Sequence, residues 1–170
     1  MQDEIVNRVA KSGIITFNLE DYFDKSESEL IDIKGWLFQE MILKEKDFRQ
    51  YVKDHDWRQY QNKNVAIHCS ADAIIPTWAY MLITIALEPY ANNIVLGNEK
   101  DLNAYLLMKA LKEVNVDDYA DARVVIKGCS KYPVPDSAYV EITKVLKPVA
   151  LSIMYGEPCS TVPLYKRPKK

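Results

Sequence analysis

The sequence predicts a three-layer α/β protein, in which parallel core strands form a βαβαβ unit and additional strands lie towards the amino terminus. Three observations predict this class. Short runs rich in Val and Ile, each bounded by Asn, Gly or charged residues, have the composition of strands. The segments between the last three of these runs have helical period. Connections of helix length pair successive strands in parallel through right-handed crossovers.

Five runs have strand character. They lie at residues 14–19, 30–38, 64–68, 93–97 and 123–128. The second run is strand-like only in its first half and becomes ambiguous after Gly35. We expect the last three runs to form the parallel core of one sheet.

The helical segments alternate with these runs. Residues 44–57 mix charged and apolar positions, which predicts a surface helix. Residues 75–87 are apolar on nearly all sides, which predicts a helix buried against the sheet and a second surface. Residues 102–114 carry one apolar stripe with Asn98 as its cap, and a further helix should follow Pro135.

Residues 151–155 fit either a helix or a strand. Gly156 comes just past the last periodic residue, which is the usual place for a helix to end. We therefore favour the helix.

Length and composition indicate one domain. A chain of 170 residues without a long linker predicts a single α/β domain over residues 1–170, ordered over about 5–165. The basic tail at residues 166–170 reads as a solvated terminus rather than an arm for nucleic acid or membrane.

Several classes of function are disfavoured. A formal net charge of -2 provides no basic field for nucleic acid. Five glycines, with neither a Gly-x-Gly-x-x-Gly nor a Walker motif, argue against a nucleotide cofactor. The longest apolar run, residues 73–87, is shorter than the roughly 18 residues of a membrane span. Residues 1–13 lack the apolar core of a signal peptide, so we expect a cytoplasmic protein with reduced thiols.

The three cysteines carry the functional prediction. Cys69 and Cys129 each come directly after a predicted strand, and ligands bind at the carboxyl ends of parallel strands. Cys159 reaches the same edge if residues 151–155 form a parallel strand. If they form a helix, it does so only through folding back of the following loop.

A repeated pattern supports the grouping of the thiols. Every cysteine is followed by a serine and, within six residues of that pair, by a proline. Because three thiols with one oxygen ligand suit zinc or an iron–sulfur cluster, we predict a metal site of Cys69, Cys129 and Cys159 with Asp72 as the fourth ligand. His68 is less suited, since adjacent strand residues face opposite sides. The chain lacks any Cys-x-x-Cys spacing.

Other interpretations stay open. Free cysteines often only fill a core. Cys69 or Cys129 could instead be the nucleophile of a thiol-dependent transferase or hydrolase, although His55 between two aspartates is typical of a solvated turn. The third hypothesis is a non-catalytic partner protein or homo-oligomer, with Trp36, Trp57 and tyrosines in an exposed apolar patch.

Five segments carry a resemblance to a known family. They are CSADAIIPTWAY at residues 69–80, KGC at 127–129, PVPDSAYV at 133–140, GEPCSTVP at 156–163 and LKEKDFR at 43–49. From about residue 5 to 166 the chain resembles a bacterial family catalogued as domain of unknown function 2480. The resemblance implies no established activity. It implies a link to iron–sulfur or sulfur metabolism, with iron–sulfur assembly proteins as partners.

Overall fold

The computed structural model describes residues 13–128 and 133–168. These residues form two compact units. One is Asp24–Tyr105, and the other contains the described residues up to Phe23 and from Leu106 onward. Each unit has its own sheet and its own apolar core. The expectation of one domain over residues 1–170 stays a prediction.

Strands and helices alternate along most of the described chain. The strands are β1 (Ile14–Asn18), β2 (Ser28–Asp32), β3 (Asn64–His68), β4 (Asn93–Leu96), β5 (Arg123–Lys127), β6 (Ser152–Glu157) and β7 (Ser160–Lys166). The α-helices are α1 (Glu45–Asp54), α2 (Thr77–Leu87), α3 (Glu99–Lys112) and α4 (Asp136–Leu146). Four single-turn 3-10 helices lie at Leu19–Tyr22, Ile33–Trp36, Trp57–Tyr60 and Val116–Tyr119.

The unit Asp24–Tyr105 contains a sheet in the order β2-β3-β4, with all pairs parallel. The central strand β3 is buried at its first four positions, which explains its continuous apolar run. α1 covers the core with Phe48 and Val52, which are four residues apart and share one face. α2 adds Ile83 and Leu87 to the same core.

The other unit contains a sheet in the order β1-β5-β6-β7. The first three strands are parallel, and β7 returns antiparallel to β6 through a tight hairpin. α4 covers this sheet with Ala138, Ile142 and Leu146, which recur every four residues and are fully buried. Leu107 and Leu111 of α3 belong to the same core.

The α/β class with parallel core strands is confirmed. The expectation that β3, β4 and β5 share one sheet is wrong, because β5 pairs with β1 and β6. The physical reason lies in the partner that β1 provides. Phe17 on β1 is buried in the same cluster as Val124 and Ile126, so this pairing completes a core.

The helix expected at residues 151–155 is also wrong, because this segment forms β6. α4 ends at Leu146 and Pro148 follows, which prevents the helix from continuing without a break. Ile153 is fully buried between the neighbouring strands. Gly156 is a strand residue with a φ of 117°, and a Cβ there would lie 2.7 Å from the carbonyl oxygen of Ser160.

The remaining helix predictions are confirmed at α1, α2, α3 and α4. Asn98 caps α3 as expected, since its Oδ1 accepts hydrogen bonds from the amides of Lys100 and Asp101. α2 was expected to be buried against the sheet and a second surface, but its Met81 and Ile85 are 60% and 70% exposed. None of the helices within residues 13–128 and 133–168 is long and apolar enough to cross a membrane.

Candidate functional site

The carboxyl edge of the β2-β3-β4 sheet gathers polar groups around Cys69. β3 ends at His68, so Cys69 is the first residue of the loop that leads to α2. The thiol is half-buried, packs against the core of this unit and points its Sγ at the carbonyl oxygen of Ala71, 3.8 Å away. The position of Cys69 at a strand end confirms what the sequence predicted for it.

Asp32 links the ends of the two neighbouring strands. It is the last residue of β2 and lies in register with His68, the last residue of β3. Its carboxylate accepts a hydrogen bond of 3.1 Å from the Ser70 amide and one of 2.5 Å from the Ser70 hydroxyl. The amide of Lys34 donates a third, at 3.0 Å. Asp32 therefore fixes the loop that begins with Cys69.

These contacts determine the charge of the Asp32 carboxyl group. Partial burial on its own would raise the pKa of Asp32, but the hydrogen bonds from Ser70 and Lys34 and the nearby His68 together lower it. The imidazole Nε2 of His68 lies 3.9 Å from Oδ2 of Asp32. Asp32 thus stays a carboxylate at neutral pH and presents a negative charge to His68.

Lys34 carries a positive charge in the single-turn helix that follows β2. Its ammonium lies 3.0 Å from the Glu40 carboxylate, and this ion pair, followed by Asp32 and Cys69, raises the pKa of Lys34. Tyr80 of α2 has a pKa raised first by burial and then by Cys69. Cys69 thus lies on a loop that an aspartate of the neighbouring strand holds in place, at the carboxyl end of a parallel strand.

Asp72 follows in the same loop. It is exposed and lines a cavity of about 360 Å³ together with Met41, Ile42 and Ile74. Across residues 13–128 and 133–168, no three His, Cys, Asp or Glu side chains come together as a metal-binding group. The metal site of Cys69, Cys129, Cys159 and Asp72 therefore stays a prediction.

Cys159 belongs to the unit with β5 and β6. Cys159 lies in the two-residue turn between β6 and β7, where it is exposed. Cys129 lies outside the described residues. The prediction that Cys69 and Cys129 lie at the same sheet edge assumed that β3 and β5 belong to one sheet. That assumption is wrong. The premise for Cys159 is met, because β6 runs parallel to β5.

The comparison with protein families agrees with the resemblance noted in the sequence. A family model described as Protein of unknown function (DUF2480) matches residues 3–167, which is nearly the whole chain. The chain belongs to this family. No curated protein and no solved structure matches it.

In this DUF2480 protein, His55 and Trp57 differ from their expected surroundings. His55 was expected in a solvated turn, but it is half-buried, and its Nε2 lies 2.8 Å from the Tyr60 hydroxyl. Burial lowers the pKa of His55. Trp57 is buried and donates its indole N–H to the Val52 carbonyl oxygen, so it does not belong to an exposed patch.

Sequence reasoning missed Asp32 and Lys34 in this DUF2480 protein. The run at residues 30–38 was strand-like only in its first half, and its end was not located. A strand that ends on an aspartate, beside a second strand that ends on His68 and is followed by Cys69, is a usable signal once the two strands are known to be neighbours.

Proposed function

We propose that the protein is a thiol-dependent enzyme of the transferase or hydrolase class, with Cys69 as its nucleophile. The observation that carries the proposal is the hydrogen bonding of Asp32 to both the amide and the hydroxyl of Ser70. This contact fixes the residue after the thiol to the neighbouring strand. A nucleophile on a fixed loop at the carboxyl end of a parallel sheet lies where ligands commonly bind in α/β proteins, which suits covalent catalysis.

Charge near the thiol supports the same proposal. Electrostatic interaction with Cys69 is the smallest of the contributions that raise the pKa of Lys34, whose ammonium is paired with Glu40. A neighbouring ammonium favours nucleophilic thiolates in general. The Asp32–His68 pair adds an acid–base group at the same sheet edge.

Alkylation rates test this proposal. We expect Cys69, although half-buried, to react with iodoacetamide at pH 7 about tenfold faster than the exposed Cys159. Peptide mass spectrometry assigns the label to each cysteine. Lys34→Gln should slow the labelling of Cys69 and leave that of Cys159 unchanged. A Cys69 that reacts more slowly than Cys159 in both proteins would contradict the proposal.

The three-cysteine metal site is the second candidate. The parallel pairing of β5 and β6 supports it, because Cys159 follows the hairpin end of β6 and Cys129 is the second residue after β5 in the sequence. With Cys69 and Asp72 added, the ligands would suit zinc or an iron–sulfur cluster. A cluster would make iron–sulfur assembly proteins the partners of this chain. Both candidates place the protein in the reducing cytoplasm, where thiols persist.

Metal analysis of protein purified without a His-tag separates the two candidates. The metal site predicts about one equivalent of zinc or iron per site and slow alkylation of all three thiols until a chelator is added. Cys129→Ser and Cys159→Ser should each release the metal. Less than roughly a tenth of an equivalent would count against the metal site and leave the Cys69 proposal standing.

A further inference from the structure

We propose that a cavity beside α1 binds an organic cation, a protonated or quaternary alkylammonium group. The cavity has a volume of about 440 Å³ and lies wholly within the unit Asp24–Tyr105. This volume is within the range of small-molecule sites. The residues that give it its chemistry are Trp36, Phe38, Asp47, Gln50, Tyr51 and Asp54.

Aromatic rings form one wall of this cation cavity. The rings of Trp36 and Tyr51 are nearly parallel, with 9° between their planes and 6.3 Å between their centroids. The rings of Phe48 and Trp57 also pack against Trp36, with their centroids 5.8 and 6.2 Å from its own. Tyr51 is 49% exposed, so its ring is accessible to a ligand. The negative face of such rings attracts cations, and Trp does so most strongly.

Carboxylates supply the complementary charge. Asp47, Gln50, Tyr51 and Asp54 are spaced so that all four lie on one face of α1, opposite its buried residues. The side-chain amide of Gln50 donates to both Asp54 oxygens, at 2.9 and 2.8 Å, and holds that carboxylate in place. Within the described residues the carboxylate of Asp47 has no hydrogen-bond or ion-pair partner. The residues lining the cavity include neither Lys nor Arg.

At the rim of the cavity, two residues of this chain already form a cation–π contact. The ammonium of Lys44 lies over the ring of Phe38, 3.1 Å from its centroid. Phe38 is positioned by a tight turn in which Gln39 and Glu40 have φ values of 52° and 57°. Turns with two positive φ values normally use Asn and Gly. Gln39 and Glu40 therefore have a backbone conformation that is uncommon for their residue types.

The same alkylammonium chemistry has two sources, a free small amine or a lysine side chain of another protein. Choline chloride represents the first and a short peptide with one trimethyllysine represents the second. The neutral compound 3,3-dimethyl-1-butanol has the shape of choline without its charge, so it separates charge recognition from simple apolar binding.

The test is a titration followed by the indole N–H signals of ¹⁵N-labelled full-length protein. We expect choline to move the Trp36 signal, assigned through Trp36→Phe, and to leave the signal of buried Trp57 in place. Choline should bind about tenfold more tightly than 3,3-dimethyl-1-butanol. Binding of the peptide more tightly than choline would identify a protein side chain as the source, and the reverse would identify a free amine.

Substitutions in the cavity lining test which side chains bind the cation. The double substitution Asp47→Asn and Asp54→Asn should lower choline affinity about tenfold, to the level of the neutral compound. Tyr51→Leu should weaken choline more than 3,3-dimethyl-1-butanol. Glu45→Gln removes the same kind of charge from α1 outside the cavity lining and should have no effect. The indole spectrum itself reports whether each variant is folded.

Two results would overturn the proposal. One is a Trp36 signal that stays in place with both choline and the peptide at concentrations up to about 50 mM. The other is equal affinity for choline and 3,3-dimethyl-1-butanol in the wild-type protein. Neither result bears on Cys69, so the proposed enzyme function is tested independently.

Discussion

Asp32 shows how one side chain can join two strand ends. Its carboxylate accepts from the amide and hydroxyl of Ser70 and from the amide of Lys34, and it lies in register with His68. Each of these donors favours the ionised carboxyl group. The loop that carries Cys69 therefore depends on the charge state of a residue on another strand.

We expect Asp32→Asn and Ser70→Ala each to lower the free energy of unfolding by about 1 kcal/mol at pH 7. Urea unfolding of the two single variants and the double variant gives their coupling, expected at about 0.5–1 kcal/mol because Asp32 is partly exposed and screened. Additive effects of the two substitutions would show that the contact does not stabilise the fold.

The pH dependence has a defined sign. The pKa of Asp32 is lower in the folded than in the unfolded protein, so its stabilisation is complete above the unfolded value, about 3.9, and is lost as the pH falls through the folded value. The wild-type protein and Asp32→Asn should therefore approach equal stability below about pH 4. A stability difference that is the same at pH 7 and in acid would contradict this account.

At the scale of a single element, α2 presents two environments on one helix. Ile83 is fully buried in the core, whereas Ile85, two residues later, is 70% exposed. The sequence predicted the helix from its apolar period. It could not distinguish these two positions, because both are isoleucine in a segment that is apolar on nearly all sides.

This contrast predicts unequal effects of the same substitution. Ile83→Ala should lower the free energy of unfolding by about 2–5 kcal/mol, through lost burial and a cavity. Ile85→Ala, the matched control, should change it by no more than about 0.5 kcal/mol. Denaturant unfolding measures both. Similar losses from the two variants would mean that the outer face of α2 is covered by something.

At the scale of the whole chain, the α/β class, the helices α1 to α4 and the position of Cys69 could be predicted from the sequence, whereas the helix favoured at residues 151–155 was wrong. The pairing of the strands could not be predicted. Buried parallel strands all read as runs of Val and Ile, so β5 fits beside β4 as well as beside β1 until the packing of Phe17 against Val124 and Ile126 is known. The site shares this limit, because Asp32 and His68 become neighbours only through the pairing of β2 with β3.

The arrangement of the sheets is open to direct measurement. We expect nuclear Overhauser contacts between backbone protons of β1 and β5 and of β5 and β6, for example Ile15 with Val124 and Val124 with Ile153. Such contacts follow from the roughly 4.8 Å spacing of paired strands. A ladder of contacts between β4 and β5 would instead restore the single sheet that the sequence suggested.

The exposed cysteine in the turn between β6 and β7 affects how the purified protein should be stored. Cys159 projects from that hairpin tip as an accessible sulfur. Once reductant is removed, two chains that collide there can become joined by an S–S bond. A dimer that disappears on adding dithiothreitol and does not form in Cys159→Ser is a product of air oxidation at this tip, so Cys159→Ser is the variant in which to measure the natural oligomeric state.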